Sequence, residues 1–529
     1  MMTANPVQIQ GDLAVLVFNR FDLTNYEMFL RAKQLPESQI KYDPWHHTYT
    51  LTTPARLAGM LGAVVAQRCG LALGLAPHLH DYQAWGIDQA LKAKRFAAWY
   101  DTGLGKMAMA LEWARQVMHI TGRRVLVHVP VLELIDQYLE ETERFYGGRL
   151  PVEVLSTRKD LVGWCKGGGQ ALGIATYHKF IPGEIPDLRR LGGLIADESS
   201  ILKTGGGTIK WNLVKSARGI EYKLSLTAVP APNESMEYAS QGSFLEKIRT
   251  EGDVIWTYFC RNGKNGNWKI RDHAKAHFYR FLASWSVYMR NPAAFGFKDV
   301  LAGLPDPEIV EEQVEMTDRQ RDLMHSLLVR QNKGLLPDER LTVQMRQKFA
   351  EIARGFLYDK GKVAERIPSR KVERVAAWVS RQLAEGRPTM VWTVFDEEAP
   401  VLREILADDR VGVLSGKMKD AERRETLHAF KSGQLRGLIS KPELMGFGLN
   451  LQFVKSMVLT VDDSFERRYQ TIRRAVRQGQ TDVVRVYQPY VPELEGVMYE
   501  NVAAKERRFF EEVAIQEREY QLARTEMRL

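Results

Sequence analysis

The stretch Lys94 to Val117, KRFAAWYDTGLGKMAMALEWARQV, constrains this chain more than any other. Its apolar start, Phe96 to Trp99, predicts a short buried strand. A tight loop with two glycines follows, then a lysine, then a run of strong helix formers. That order suits a phosphate cradle. Gly103 and Gly105 let backbone N–H groups approach phosphate oxygens, and Lys106 adds a compact positive charge. A helix starting near Met107 aims the positive end of its dipole at the same anion. The strict loop pattern has Gly at position 100 and Ser or Thr at 107, whereas this chain has Tyr100 and Met107. An ordinary strand-turn-helix fits these residues as well, so the rest of the chain must decide.

At 529 residues the chain exceeds a single core and divides into three or four domains. Its net charge of +9 permits a polyanionic partner without establishing one. Cys69, Cys165 and Cys260 are far apart and form no Cys-x-x-Cys, so neither a zinc site nor a disulfide framework is expected. The N-terminus lacks a basic start followed by an apolar run, and no window approaches the ~18 apolar residues of a membrane span. A cytoplasmic protein is expected.

Residues 1–72 read as a small α+β accessory domain. Leu13 to Phe18 predicts a strand and Thr24 to Lys33 a helix. A hairpin follows with its turn at Asp43-Pro44. Trp45, His46, His47 and Tyr49 in that hairpin suit packing better than base stacking. Strands then alternate with helices over residues 73–240, which predicts a parallel sheet with ligands at the carboxyl ends of its strands. Residues 241–365 break the alternation and read as a mostly helical insertion. Within it His273 to Arg290 is an expected aromatic-rich helix, and Arg261 to Lys269 is a basic loop with two Asn-Gly turns. That loop suits a solvated hairpin, or a wedge in which Trp268 stacks on a base beside Lys269. A second strand-helix domain spans residues 366–490, and a charged helical brace closes the chain at 491–529.

Several side chains have the chemistry of a nucleotide site. Gln83 carries both a donor and an acceptor for an adenine edge. Asp197 and Glu198 follow an apolar strand, where one carboxylate can hold Mg²⁺ and the other can orient a water. Thr227 ends another strand with a hydroxyl suited to sensing a γ-phosphate. If Arg467 to Gln480 is helical, Gln470, Arg474 and Arg477 share a face, and the two arginines suit a phosphate.

The motifs HDYQAWGI, YDTGLGKM, VLVHVP, IADESS, LSLTAVPAPN, VLSG, LMGFGLNLQ and QTIRRAVRQGQ occur in one order along residues 75–490. In that order the chain resembles a superfamily-two helicase core of the Swi/Snf-like branch, nearest to the kind carried by bacteriophages and prophages. The resemblance implies an α/β fold of two RecA-like parallel-sheet lobes in tandem, with ATP and Mg²⁺ between them. It implies that Gln83 reads adenine and that Thr102, Gly103, Gly105, Lys106 and Met107 surround the phosphates. By the same match Asp197 and Glu198 handle metal and water, and Thr227 couples the lobes. Gly448 and Asn450 contact nucleotide or strand, while Gln470, Arg474 and Arg477 complete the site. The N-terminal unit is similar to the small domain that precedes the motor in annealing helicases. The chain departs from relatives at Met107, at Ser199-Ser200 after the acidic pair, and at Arg473 and Val476. The implied activity is a monomeric ATP-dependent translocase or helicase on duplex or branched DNA. An RNA remodeller and a nucleotide-dependent clamp with weak turnover are the alternatives.

Overall fold

A computed structural model describes residues 7–18, 23–61, 71–180, 187–203, 207–232, 234–261, 268–331, 343–359, 362–445, 451–477 and 479–527. The chain divides into two units, Met1–Val300 with Phe509–Leu529, and Leu301–Arg508.

The first unit opens with a four-stranded antiparallel sheet in the order Gln8–Gln10, Leu13–Phe18, Thr48–Pro54, Gln39–Asp43, with the helix Leu23–Lys33. Asp43 shapes the hairpin tip, because its carboxylate accepts the backbone N–H groups of Trp45 and His46. The main sheet of this unit has seven strands in the order Ser286–Met289, Arg95–Tyr100, Tyr222–Leu226, Gly193–Asp197, Val125–Val129, Leu172–Thr176, Val152–Val154. Every pairing is parallel. The strands at its centre are buried along their whole length, as expected of a parallel sheet covered on both faces. Register brings the functional loops to one edge. Leu226 pairs with Asp197 on one side and with Ala98 on the other, so the residues following all three strands emerge together.

The edge strand Ser286–Met289 differs from the helix expected over His273 to Arg290. The helix there is Lys275–Ala283, and the chain then turns into the sheet. Ser286–Met289 is fully buried, and periodicity alone cannot separate a buried strand from a buried helix. Trp285 anchors the turn with its ring 5.5 Å from Trp99, at an interplanar angle of 83°.

The second unit holds a six-stranded parallel sheet in the order Glu308–Gln313, Arg485–Tyr490, Ser456–Leu459, Thr389–Trp392, Gly437–Ser440, Val411–Val413. The fold is therefore α/β with two RecA-like parallel sheets. The edge strand Glu308–Gln313, EIVEEQ, has little strand character of its own. It is held by pairing with Arg485–Tyr490, reinforced by Arg485 on Glu308 at 3.0 Å. A hairpin, Phe356–Asp359 with Lys362–Arg366, also interrupts a stretch expected to be helical.

A buried ionic group joins four elements of this unit. Glu495, near the start of the closing helix Pro492–Met527, accepts Lys371 Nζ at 2.7 Å on both oxygens. Arg354 lies 3.6 Å from Glu495 and 3.6 Å from Glu398. Glu398 in turn accepts the N–H groups of Val394 and Phe395, both at 2.8 Å. Removing Glu495 strands the buried Lys371 ammonium, a loss of about 3–5 kcal/mol, while Arg354 keeps Glu398. Glu495→Ala should therefore lower the stability of the second unit by about that much, read from its unfolding transition in denaturant. A loss below about 1 kcal/mol would mean that Lys371 and Arg354 reach water in the folded state.

Candidate nucleotide site

The strand Arg95–Tyr100 delivers the chain into a loop at Asp101, and the helix Lys106–Thr121 begins five residues later. Gly103 and Gly105 sit at φ +86° and +69°, a region that glycine enters without strain. A Cβ on Gly105 would also lie 2.2 Å from Gln83 Nε2, so a side chain here would displace the Gln83 amide from its bonds to the loop. Asp101 stiffens the entry, because its carboxylate accepts Thr102 N at 2.7 Å and the Thr102 hydroxyl at 3.3 Å. The first-turn N–H groups of the helix, Lys106 and Met107 among them, have no intrahelical acceptor, an arrangement suited to an anion. The Lys106 ammonium donates to the carbonyls of Tyr100 at 3.0 Å and Asp101 at 3.5 Å, which folds it back across the loop.

The helix Asp81–Ala93 braces this loop from behind. Tyr82 donates its hydroxyl to Leu104 O at 3.1 Å, and Tyr100 donates to Tyr82 O at 3.2 Å. Gln83 is buried. Its nitrogen donates to Leu104 O at 3.1 Å and Gly105 O at 3.3 Å, and its oxygen accepts His80 N at 2.8 Å. In this arrangement Gln83 braces the glycine loop at Leu104 and Gly105.

Asp197 ends its strand at the same sheet edge, 5% exposed. Its carboxylate accepts the Tyr138 hydroxyl at 2.9 Å and Glu198 N at 3.0 Å, while Tyr177 donates to its backbone oxygen at 2.8 Å. Burial raises the Asp197 carboxyl above the ordinary carboxylate range. The Tyr138 hydroxyl, the Lys106 ammonium and the Glu198 N–H pull it part of the way back. Glu198 occupies a left-handed backbone conformation, φ +48°. Its carboxylate accepts the Thr227 hydroxyl at 3.3 Å, and Thr227 Oγ1 accepts Val229 N at 3.2 Å. Thr227 is thereby joined to the acidic pair.

Sequence reasoning missed what lies beneath that joint. Ser225 Oγ lies 2.8 Å from Ser199 Oγ and donates to Gln241 Oε1 at 2.6 Å, while Gln241 Nε2 donates to Ser199 O at 2.9 Å. Ser199, one of the departures from relatives, thus ties the acidic turn to the strand that carries Thr227. Tyr138, Tyr177 and Gln241 lie outside every motif, and nothing in their local sequence marks them.

The remaining candidates lie in the second unit or on the hairpin. Gln470 belongs to the helix Phe465–Ile472 and is 8% exposed, and its amide nitrogen finds no hydrogen-bond partner. The helix expected to continue through Arg477 stops at Ile472. Beyond it the bonds tighten into turns, Arg474 N on Thr471 O at 3.3 Å, Ala475 N on Ile472 O at 3.2 Å and Arg477 N on Ala475 O at 3.1 Å, while Leu451 N takes the Arg474 carbonyl at 3.0 Å. Arg474 and Arg477 therefore stand on turns, not on the helix face of Gln470. Arg474 is buried, donates to Pro442 O at 3.3 and 3.4 Å, and lies 5.1 Å from the Trp392 ring. Gly448 and Asn450 lie outside the described residues. Trp268 and Lys269 begin the second strand of the hairpin in the first unit.

Residues 76–230 match the family model described as type III restriction enzyme, res subunit, and residues 370–479 match the helicase conserved C-terminal domain. The chain is a helicase-class, nucleic-acid-dependent ATPase. The first match covers Gln83, the phosphate loop, Asp197-Glu198 and Thr227, and the second covers Gln470, Arg474 and Arg477. No curated protein matches the ATPase in sequence. Among solved structures it is similar to the Sulfolobus solfataricus SWI2/SNF2 ATPase core in complex with double-stranded DNA, at 16% identity and a TM-score of 0.38, covering 87% of this chain and 98% of that one. The Sulfolobus solfataricus SWI2/SNF2 ATPase core domain gives 16% identity and a TM-score of 0.38, over 81% and 89% of the two chains. At that score the likeness carries no weight for the arrangement of the ATPase.

The donors present fit a magnesium triphosphate. Among the described residues no three His, Cys, Asp or Glu side chains gather as a protein-only metal site. One carboxylate at a strand end, beside a lysine and a helix N-terminus, matches the way Mg²⁺ is held jointly by protein and phosphate oxygens. Asp197→Asn removes a charge that burial disfavours while its oxygen still accepts the Glu198 N–H and its amide donates to the Tyr138 hydroxyl oxygen. The substitution should raise the denaturation midpoint of the ligand-free ATPase at neutral pH. Because the folded-state pKa lies above the unfolded one, the Asp197 penalty is absent at low pH and grows as pH rises through the folded value. The advantage of the Asn variant should therefore shrink on acidification. An advantage that grows instead would reverse the assigned direction.

Proposed function

We propose that this ATPase moves on or remodels duplex or branched DNA, as a member of the Swi/Snf-like branch with bacteriophage kinship, and works as a cytoplasmic monomer. The observation that carries the reading is the meeting, at one sheet edge, of the Lys106 loop with the Asp197–Glu198–Thr227 chain of hydrogen bonds. ATP with Mg²⁺ supplies the anhydride whose cleavage drives the cycle. Lys106 and the backbone around Thr102, Gly103, Gly105 and Met107 bind its phosphates. Asp197 holds the cation and Glu198 orients and deprotonates the attacking water. Gln83 reads adenine by exchanging its bonds to the Leu104 and Gly105 carbonyls for the base edge, and Gln470, Arg474 and Arg477 serve as further nucleotide ligands. Thr227 reports the state of the acidic pair to the rest of the chain. Gly448, Asn450, Trp268 and Lys269 contact the nucleic-acid strand. The N-terminal sheet is an accessory domain of the annealing-helicase kind.

The test is ATP hydrolysis across a panel of duplex, forked and single-stranded DNA and RNA. DNA should stimulate the wild-type rate. Glu198→Gln should lower it by about 10²–10⁴-fold, and Lys106→Ala by at least about 10²-fold. Binding should weaken as salt rises, because backbone contacts release counterions. Salt-insensitive binding, or no stimulation by any nucleic acid, would overturn the reading.

A second reading, a clamp with weak turnover, is favoured by one residue. Met107 offers no hydroxyl where strict phosphate loops have one. Met107→Thr should lower the Mg²⁺ concentration that half-saturates hydrolysis. An unchanged requirement would show that the cation is held without help from this position.

A further inference from the structure

The first unit carries an exposed aromatic and basic surface on the helix Glu251–Tyr258 and the hairpin Phe259–Arg261 with Trp268–Ile270. Register places Arg261 opposite Trp268 and Phe259 opposite Ile270. Phe259 and Ile270 are buried and root the hairpin, so Arg261 and Trp268 continue the same face outward towards the tip. The Arg261 guanidinium sits 5.3 Å from the centre of the Trp268 ring. Trp268 meets Trp256 of the helix with ring centres 5.4 Å apart and planes at 87°. Arg271 secures the helix end by donating to the carbonyls of Trp256 at 3.1 Å and Thr257 at 2.9 Å.

Trp256 is nevertheless 68% exposed. An indole this open, held by a perpendicular neighbour, gains nothing for the fold from its exposed area. Its setting carries an excess of positive charge. Glu251 and Asp253 of the same helix are each paired, with Lys210 at 2.6 Å and Arg249 at 3.5 Å, whereas Arg261, Lys269, Arg271 and Lys275 are set against the one further carboxylate, Asp272. Asp272 lies 3.7 Å from Lys269 and 3.6 Å from Lys275 and cannot neutralise both. Open aromatic faces amid unbalanced positive charge are how proteins hold single-stranded nucleic acid. The rings stack on bases and the cations follow the phosphates. A duplex hides its base faces, so an intact helix does not satisfy this surface.

We propose that Trp256, buttressed by Trp268 and Arg261, is a stacking platform for an unpaired base, and that the nucleic acid engaged by this ATPase includes a single strand. The inference rests on the nucleic-acid reading above and narrows it towards branched or tailed substrates. Trp256 is the new element, since the basic loop alone pointed only to Trp268.

The experiment measures affinity by fluorescence anisotropy for a labelled oligothymidylate and for a blunt duplex. The proteins are the full-length wild type, Trp256→Ala, Trp256→Phe and Lys106→Ala. Thermal melting of each checks folding. Trp256→Ala should weaken oligothymidylate binding roughly tenfold, the scale of one stacked base, while Trp256→Phe retains most of it. Blunt-duplex affinity and duplex-stimulated hydrolysis should not change in either Trp256 variant. Lys106→Ala should lose hydrolysis yet bind oligothymidylate like wild type, so loss of the motor reading and loss of the platform give different results. Equal oligothymidylate affinity in wild type and Trp256→Ala would overturn the proposal. So would an equal loss for the blunt duplex, or a self-association that only Trp256→Ala abolishes while oligonucleotide affinity is unchanged.

Discussion

Burying the Asp197 carboxylate is the constraint on which the first unit's chemistry depends. An ionised acid at the end of a sealed parallel strand is unfavourable unless partners meet it. Tyr138, the Glu198 N–H and the Lys106 ammonium do so, and they come from a helix, a turn and the phosphate loop. The parallel sheet makes this possible by bringing the carboxyl ends of neighbouring strands to one edge. The same geometry leaves the acid unsaturated, which is what a cation held partly by phosphate requires.

The loop and the acidic turn are supported from behind by neutral groups. Tyr82 and Gln83 hold the Leu104 and Gly105 carbonyls, and the Ser199–Ser225–Gln241 contacts hold the acidic turn against the neighbouring strand. Glu198 stays in a left-handed conformation that costs free energy in isolation. Its carboxylate is oriented by Thr227, so a change at either residue must be felt by the other. The second unit uses charge in a different way. Glu495, Lys371, Arg354 and Glu398 are buried together, and their balance shapes the loop at Val394 and Phe395.

Much of this was legible in the sequence, for physical reasons. Strand-loop-helix order with glycines at Gly103 and Gly105 leaves few backbone paths. Acidic or hydroxyl residues directly after apolar runs, as at Asp197 and Thr227, mark strand ends. Ser286–Met289 was not legible because a buried apolar strand and a buried apolar helix have the same composition. Glu308–Gln313 was not legible because its strand character comes from its partner. The helix ends at Ile472 and the chain beyond it is tied to Leu451 through the Arg474 carbonyl, a long-range bond that no local pattern encodes. Tyr138 and Gln241 reach Asp197, Ser199 and Ser225 from elements distant in sequence. Trp256 reads as an ordinary apolar helix residue until its exposure is seen.

The central claim is that Asp197 and Lys106 together form a seat for a metal-bound triphosphate. Equilibrium binding of a fluorescent, slowly hydrolysed ATP analogue, titrated with and without Mg²⁺, tests it most directly. Mg²⁺ should tighten binding to the wild type and lose that effect in Asp197→Asn, with the metal-free affinity preserved. The same gain from Mg²⁺ in both proteins would place the cation elsewhere and contradict the account.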